Sequence, residues 1–266
     1  MTELLAKDAN YERCFFAFID ILGFKNLVQG SERDNEKLKL LRDSLRLWGS
    51  LPNGGVKTVD DGNSVRRVEF RTQQFSDSIV IYCKENSADL AQLFHVIRFL
   101  QDQMWLSGIC LRGAITIGDM YWPPHNENII LGPAMIEAYE LESKCAIYPR
   151  ILISKGLRQY INQQQPIVGN YLDSSNNLND AICAKDELPF LDILSSIVTR
   201  KSSEVLGSIG SNFSIMWDPE EESSHAEICG AVAAIIRDQL QQTTKPEICQ
   251  KYIWLQNQLN RVQQDG

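Results

Sequence analysis

The sequence of 266 residues predicts an α+β domain on a ferredoxin-like βαββαβ core, with additional strands and a C-terminal helical extension. Three observations carry that expectation. Residues 14–20 (CFFAFID) are apolar on both faces, as a central strand covered by helices must be. Two further strand-like runs, one alternating at Val68, Phe70 and Thr72 and one continuous at 78–83 (SIVIYC), are joined by a short FSD turn and so form a hairpin. Helical periodicity falls between the first strand and the hairpin, and again between the hairpin and a fourth strand.

In chain order, Leu38, Leu41, Leu45 and Trp48 recur at helical spacing within residues 35–51. Residues 51–64 (LPNGGVKTVDDGNS) are rich in turn formers and predict a flexible loop. Ser87 caps a helix whose face is Leu90, Leu93, Phe94, Ile97, Leu100 and Met104 and which ends near Gly108. Residues 109–117 then alternate as a strand, with Arg112 on the face of Cys110, Ala114 and Thr116. After a Pro-Pro loop, the pattern predicts a strand at 129–131, a helix at 133–144, and a strand at 147–154. Short strands near 181–184 and 190–194 and two closing helices, one around Ile228–Leu240 and one from Pro246, complete the chain. The expected division is a catalytic domain over 1–195 and a helical extension over 196–266 packed on the same domain.

Composition narrows the function. Twenty-six basic residues face 34 acidic ones, for a net charge of -8, which disfavours nonspecific nucleic-acid binding driven by counterion release. The longest clean apolar run, 14–19, is far short of the roughly 20 residues that cross a bilayer. The opening MTELLAKDANYERC carries acidic residues and no apolar stretch, so no secretion signal is expected and the cytoplasm is the expected location. Seven scattered cysteines without a C-x-x-C pair, and three distant histidines, predict neither a disulfide frame nor a zinc site.

The chemistry lies in carboxylates. In the split βαβ layout the first strand ends at the sheet edge where the hairpin turns, which brings Asp20 and Asp77 together across 57 positions. Two carboxylates held close repel unless a cation sits between them, so the pair points to divalent Mg²⁺ or Mn²⁺. The alternative is structural, with Asp20 capping a helix and Asp77 serving its turn. Behind Asp20, the stretch Ile21, Leu22, Gly23, Phe24, Lys25 begins a helix whose N–H groups suit a triphosphate. Arg112, flanked by small residues, is expected to meet an anion, either a phosphate or a carboxylate such as Glu69 across the sheet. Of Glu137, Glu140 and Glu142, most are expected in solvent, with one placed to orient Arg112. Asp119 reads as a turn residue, and Trp105, Trp122 and Trp254 as core anchors.

FIDILGF (18–24), FSDSIVI (75–81), RGAITIGD (112–119) and GPAMIEAYELES (132–143) together resemble, in order and spacing, the catalytic domain of class III nucleotide cyclases, over roughly residues 15–194. Within that superfamily the sequence is most similar to the bacterial Pycsar pyrimidine cyclases of anti-phage defence. The resemblance implies a two-metal Mn²⁺ or Mg²⁺ site on Asp20, Asp77 and the carbonyl of Ile21, with Leu22, Gly23 and Phe24 holding phosphates. It places Gln73 and Ile129 where purine cyclases carry a base-reading lysine and aspartate, and Ile136 and Glu140 where they carry a transition-state asparagine and arginine. Arg112 is the replacement expected for those absent groups. The implied activity is conversion of UTP, or else CTP, to the 3′,5′-cyclic monophosphate and pyrophosphate by a homodimer. Its product would act on a separate effector protein, with no nucleic-acid or membrane partner. The rival expectation is a nucleotide-sensing protein of the same fold without turnover.

Overall fold

The computed structural model describes residues 10–49, 51, 54–60, 64–123, 127–163, 182–183, 188–194 and 225–265. The elements are β1 (Tyr11–Ile21), α1 (Phe24–Ser31), α2 (Asn35–Gly49), β2 (Gly54–Asp60), β3 (Ser64–Phe75), β4 (Ser78–Lys84), α3 (Ser87–Leu106), β5 (Leu111–Tyr121), α4 (Pro133–Cys145), β6 (Ile151–Ile153), α5 (Lys155–Gln163), β7 (Ile182–Cys183), β8 (Phe190–Leu191), α6 (His225–Gln242) and α7 (Pro246–Asp265).

They build a mixed α+β fold on one sheet of order β2-β3-β4-β1-β5-β6-β8-β7. Strands β3, β4, β1 and β5 are mutually antiparallel neighbours in the ferredoxin-like order that the sequence predicts. β1 is central, and Phe15, Phe16, Ala17 and Ile19 are fully buried because helices cover both faces of it. Each such side chain contributes about 1.5 to 3 kcal/mol of transfer free energy at full burial, alanine less. On one face Phe15, Ala17 and Ile19 join a core shared with α3, α6 and α7 through Leu93, Ile97, Val232 and Leu255. On the other, Phe16 packs with Val80, Tyr82, Ala134 and Ala138 beneath α4. Here α4 lies close because its sheet-facing residues are small, and Thr116 Oγ1 donates to the Ala134 carbonyl at 3.0 Å.

Several sequence expectations are corrected. The expected loop at 51–64 contains β2, whose backbone pairs with β3 from Gly54↔Phe70 to Asp60↔Ser64. The turn formers there mark the two ends of a hairpin strand and mask its β-branched centre. Residues 129–131 are not a strand, although the Leu131 carbonyl accepts from Tyr121 N–H at 2.8 Å. The strand expected at 147–154 shrinks to Ile151–Ile153, since Pro149 has no N–H for a ladder and Arg150 N–H donates locally to the Tyr148 carbonyl at 2.8 Å. Those expected at 181–184 and 190–194 are two-residue strands within the described residues. Helix α5 follows β6 without having been anticipated, burying Leu157 and Ile161. The expected boundary at 195–196 lies outside the described residues, while α6 and α7 share the main core.

Candidate active site

Strand register assembles the site. Phe75 pairs with Ser78, Ser78 with Asp20, and Asp20 with Arg112, so these four residues form one cross-strand row on the α4 face. The β3–β4 turn is closed by Ser76, which adopts a positive φ of 51°, and this turn carries Asp77 to the end of β1. There Ile21 N–H donates to the Asp77 carbonyl at 3.0 Å. The convergence of Asp20 and Asp77 follows from that bond.

Arg112 meets carboxylates, one of its two expected kinds of partner, but Glu69 is not among them. Its Nε and Nη2 both donate to Asp20 Oδ2, at 3.2 and 3.1 Å, and Nη2 lies 2.9 Å from Glu142 Oε1. Glu69 instead pairs with Arg71 at 2.8 Å. The reason is register, since Arg112 stands directly opposite Asp20 while Glu69 lies farther up β3. Ser78 Oγ donates to the other oxygen of Asp20 at 3.1 Å. The charge repulsion that the sequence assigns to a metal is therefore relieved in part by a guanidinium.

Glu142 reaches Arg112 because α4 buries the stripe Ala134, Ala138, Glu142, spaced four residues apart. Glu137 and Glu140 are exposed, and Glu140 holds Lys144 at 2.8 Å. Burial pushes both Asp20 and Glu142 above the usual carboxylate range. The nearby Arg112 pulls each down, and Asp77 pushes each up. Lys251 on α7 is held below the usual lysine range by burial and then by the Arg112 charge.

Ser78 and Lys251 are the residues that sequence reasoning did not single out for the site, whereas Glu142 is the one of the three α4 glutamates that meets Arg112 as expected. Ser78 was legible in principle, because an antiparallel hairpin ending at Phe75↔Ser78 puts it beside Asp20 near the end of β1. Lys251, on the far C-terminal helix, left no such signal.

Gly23 has φ +79°, a left-handed conformation that turns the chain from β1 into α1 without a side-chain cap. Leu22 is corrected as a phosphate contact through its N–H, which is committed to the Cys110 carbonyl at 2.9 Å, and its side chain is buried. Leu22 and Gly23 line a cleft of about 780 Å³ that is also lined by Lys37, Lys245 and Lys251. Gln73 and Ile129 meet in a separate cavity of about 130 Å³ with Arg71, Thr72 and Asn128. Ile136 is exposed on α4 and does not enter the Asp20 cluster.

The donor set suits a hard cation. Asp20, Asp77 and Glu142 together carry three negative formal charges against the one positive charge of Arg112, which leaves a deficit that a divalent ion matches. No group of three or more His, Cys, Asp or Glu side chains among the described residues is arranged to hold a metal. Protein donors would therefore be the Asp20 and Asp77 carboxylates with backbone oxygen.

No family model and no curated protein matches the chain. Among solved structures it is similar to the monomeric guanylyl cyclase domain of the RhoGC fusion protein from the aquatic fungus Blastocladiella emersonii, at 15% identity and TM-score 0.38, over 59% of this chain and 90% of that one. It is similar to the catalytic core of a rhodopsin-guanylyl cyclase with converted specificity in complex with ATPαS, at 16% identity and TM-score 0.37, over 59% and 86%. A third is an adenylate/guanylate cyclase/hydrolase from Silicibacter pomeroyi, at 17% identity and TM-score 0.33, over 69% and 95%. No helix among the described residues is long and apolar enough to cross a membrane.

Proposed function

We propose that the protein is a nucleotide cyclase that converts UTP, in preference to CTP, into the 3′,5′-cyclic monophosphate and pyrophosphate. The observation that carries this is the junction of Asp20 and Asp77 at the end of β1, clamped by the Ile21 N–H bond to Asp77 and followed at once by the left-handed Gly23 turn. It brings acidic oxygen donors beside the start of a helix, the combination that handles a polyphosphate. The motif resemblance supports the same reading.

Divalent Mg²⁺ or Mn²⁺ held by Asp20, Asp77 and the Ile21 carbonyl would lower the pKa of the ribose 3′-hydroxyl and offset charge on the departing pyrophosphate. The chain's own part is positional. Gly23 and Phe24 orient the phosphates, and Asp20 and Asp77 would hold the divalent cation that offsets their repulsion of the phosphates as the 3′-oxygen meets the α-phosphorus. That oxygen bonds to phosphorus, the bond to the pyrophosphate oxygen breaks, and the hydroxyl proton leaves to solvent. Gln73, in its small cavity with Thr72 and Asn128, offers an amide able to pair with a pyrimidine edge.

Ile129, Leu131, Ile136 and Tyr139, on α4 and the segment before it, are exposed apolar side chains that a homodimer interface would cover. The product would act on a separate cyclic-nucleotide effector in anti-phage defence.

A second reading, nucleotide sensing without turnover, draws on α4, where Ile136 and Glu140 provide no amide or guanidinium. Incubation with Mn²⁺ or Mg²⁺ and each of the four nucleoside triphosphates, with product identification, separates the two. Cyclic UMP with pyrophosphate supports the enzyme, and saturable binding without product supports the sensor.

A further inference from the structure

Glu142 has 3% of its surface exposed, and its Oε1 is buried without a hydrogen bond although Arg112 Nη2 is only 2.9 Å away. The aligned donors of that guanidinium go to Asp20. Oε1 thus has the charge of the guanidinium beside it in an ion pair but no aligned N–H, and buried oxygens without one are uncommon in folded proteins. The same nitrogen, Nη2, lies within 3.1 Å of both carboxylates. Changing partner therefore needs a side-chain rotation and no backbone movement.

We propose that Glu142 is a positioning residue, the second station for Arg112, which draws the guanidinium off Asp20 when a divalent cation binds there. The proposal rests on the cyclase reading of Asp20 as a metal ligand. A cation on Oδ2 repels the guanidinium, and the nearest acceptor that can receive it is Glu142 Oε1. The exchange satisfies the buried oxygen and keeps Arg112 beside the site, charged and free on its outer edge for an anionic substrate. Three carboxylates, one guanidinium and one divalent ion are then neutral in sum, which suits a partly buried cluster.

The test is Mn²⁺ titration of the nucleotide-free full chain by calorimetry. Glu142→Gln is expected to weaken binding about tenfold, and Arg112→Met to tighten it. In the Arg112→Met background the Glu142→Gln effect should fall below about threefold. An equal effect in both backgrounds overturns the proposal, because Glu142 would then act on the ion by its charge alone.

Asp20→Asn separates this from the parent reading. If binding survives that change, the ion sits elsewhere and both fall. If binding depends on Asp20 but the cycle shows no coupling, only the role of Glu142 falls. A measurement on the wild type needs no variant to fold: the Arg112 Nε–H resonance should shift with Mg²⁺ yet stay protected from solvent exchange. A resonance that does not move, or that becomes solvent-exchanged, overturns the proposal.

Discussion

Arg112 donates twice to a single oxygen of Asp20, while the second oxygen of that carboxylate accepts from Ser78. The last polar residue of β1 is thus engaged by its neighbours on both sides, in a row set by strand register. Any ion that binds Asp20 would do so in competition with a tethered guanidinium.

Asp77→Asn keeps the size of the side chain and removes its charge. Cyclic nucleotide formation is expected to fall roughly 100-fold or more, because a carboxylate ligand is lost. The metal-free melting temperature should stay equal or rise, since the Asp77 charge bears unfavourably on both Asp20 and Glu142. Near wild-type turnover by a normally folded variant would show Asp77 to be a turn residue only, as asparagine serves an Asx-turn equally well.

ATP and GTP should be poor substrates. Gln73 and Ile129 stand where the resemblance puts the base-reading lysine and aspartate of purine cyclases, so a purine would lack those two partners, and each unpaired buried group costs about 1 to 3 kcal/mol. Equal turnover of ATP and UTP in the four-nucleotide assay would remove the pyrimidine assignment.

Gly113, next to Arg112, is packed against β1. A Cβ there would stand 2.4 Å from the Phe18 carbonyl oxygen and 3.1 Å from Ile19 Cα, both backbone atoms. Gly113→Ala should destabilise by about 2 to 3 kcal/mol in urea unfolding and reduce activity by spreading the strands that join Asp20 to Arg112. Gly30→Ala, in α1 with open space around it, should instead stabilise by about 0.5 to 1 kcal/mol.

Trp254 fastens α7 to the sheet edge. It stacks on Tyr148 at 5.3 Å, meets Phe190 edge-on at 5.4 Å, and lies 5.5 Å from the Arg150 guanidinium. Trp254→Ala is expected to cost about 3 kcal/mol by chemical denaturation. Its neighbour Ile253 is 49% exposed, and truncation there should change stability by less than about 0.5 kcal/mol.

Thiol labelling at pH 8 tests the packing of the sheet. Burial pushes the Cys14 and Cys110 thiols up to about 12, so at pH 8 both stay protonated and unreactive in the native state. Among the cysteines whose side chains are described, Cys145 and Cys249 are partly exposed and should be modified first. Rapid labelling of Cys14 before unfolding would contradict the placement of β1 at the centre of the sheet.

The sequence by itself determined the βαββαβ order, the central position of residues 14–20, the helical faces of α3 and α6, and the meeting of Asp20 with Asp77. These follow from periodicity and chain direction, because a strand apolar on both faces has to be covered and a tight hairpin has to return to the same sheet edge. Local pattern also hid things: the glycines and asparagines around β2 look like loop, although the pairing offered by β3 makes the segment between them a strand. Only the tertiary structure decided that Arg112 answers Asp20 and Glu142 and not Glu69, and that Leu22 N–H is committed to Cys110. Asp20 and Arg112 are 92 positions apart, and composition says nothing about which of several carboxylates a guanidinium will face. That choice is made by strand register and by how closely small residues let α4 approach the sheet, and both are set by packing of the whole chain.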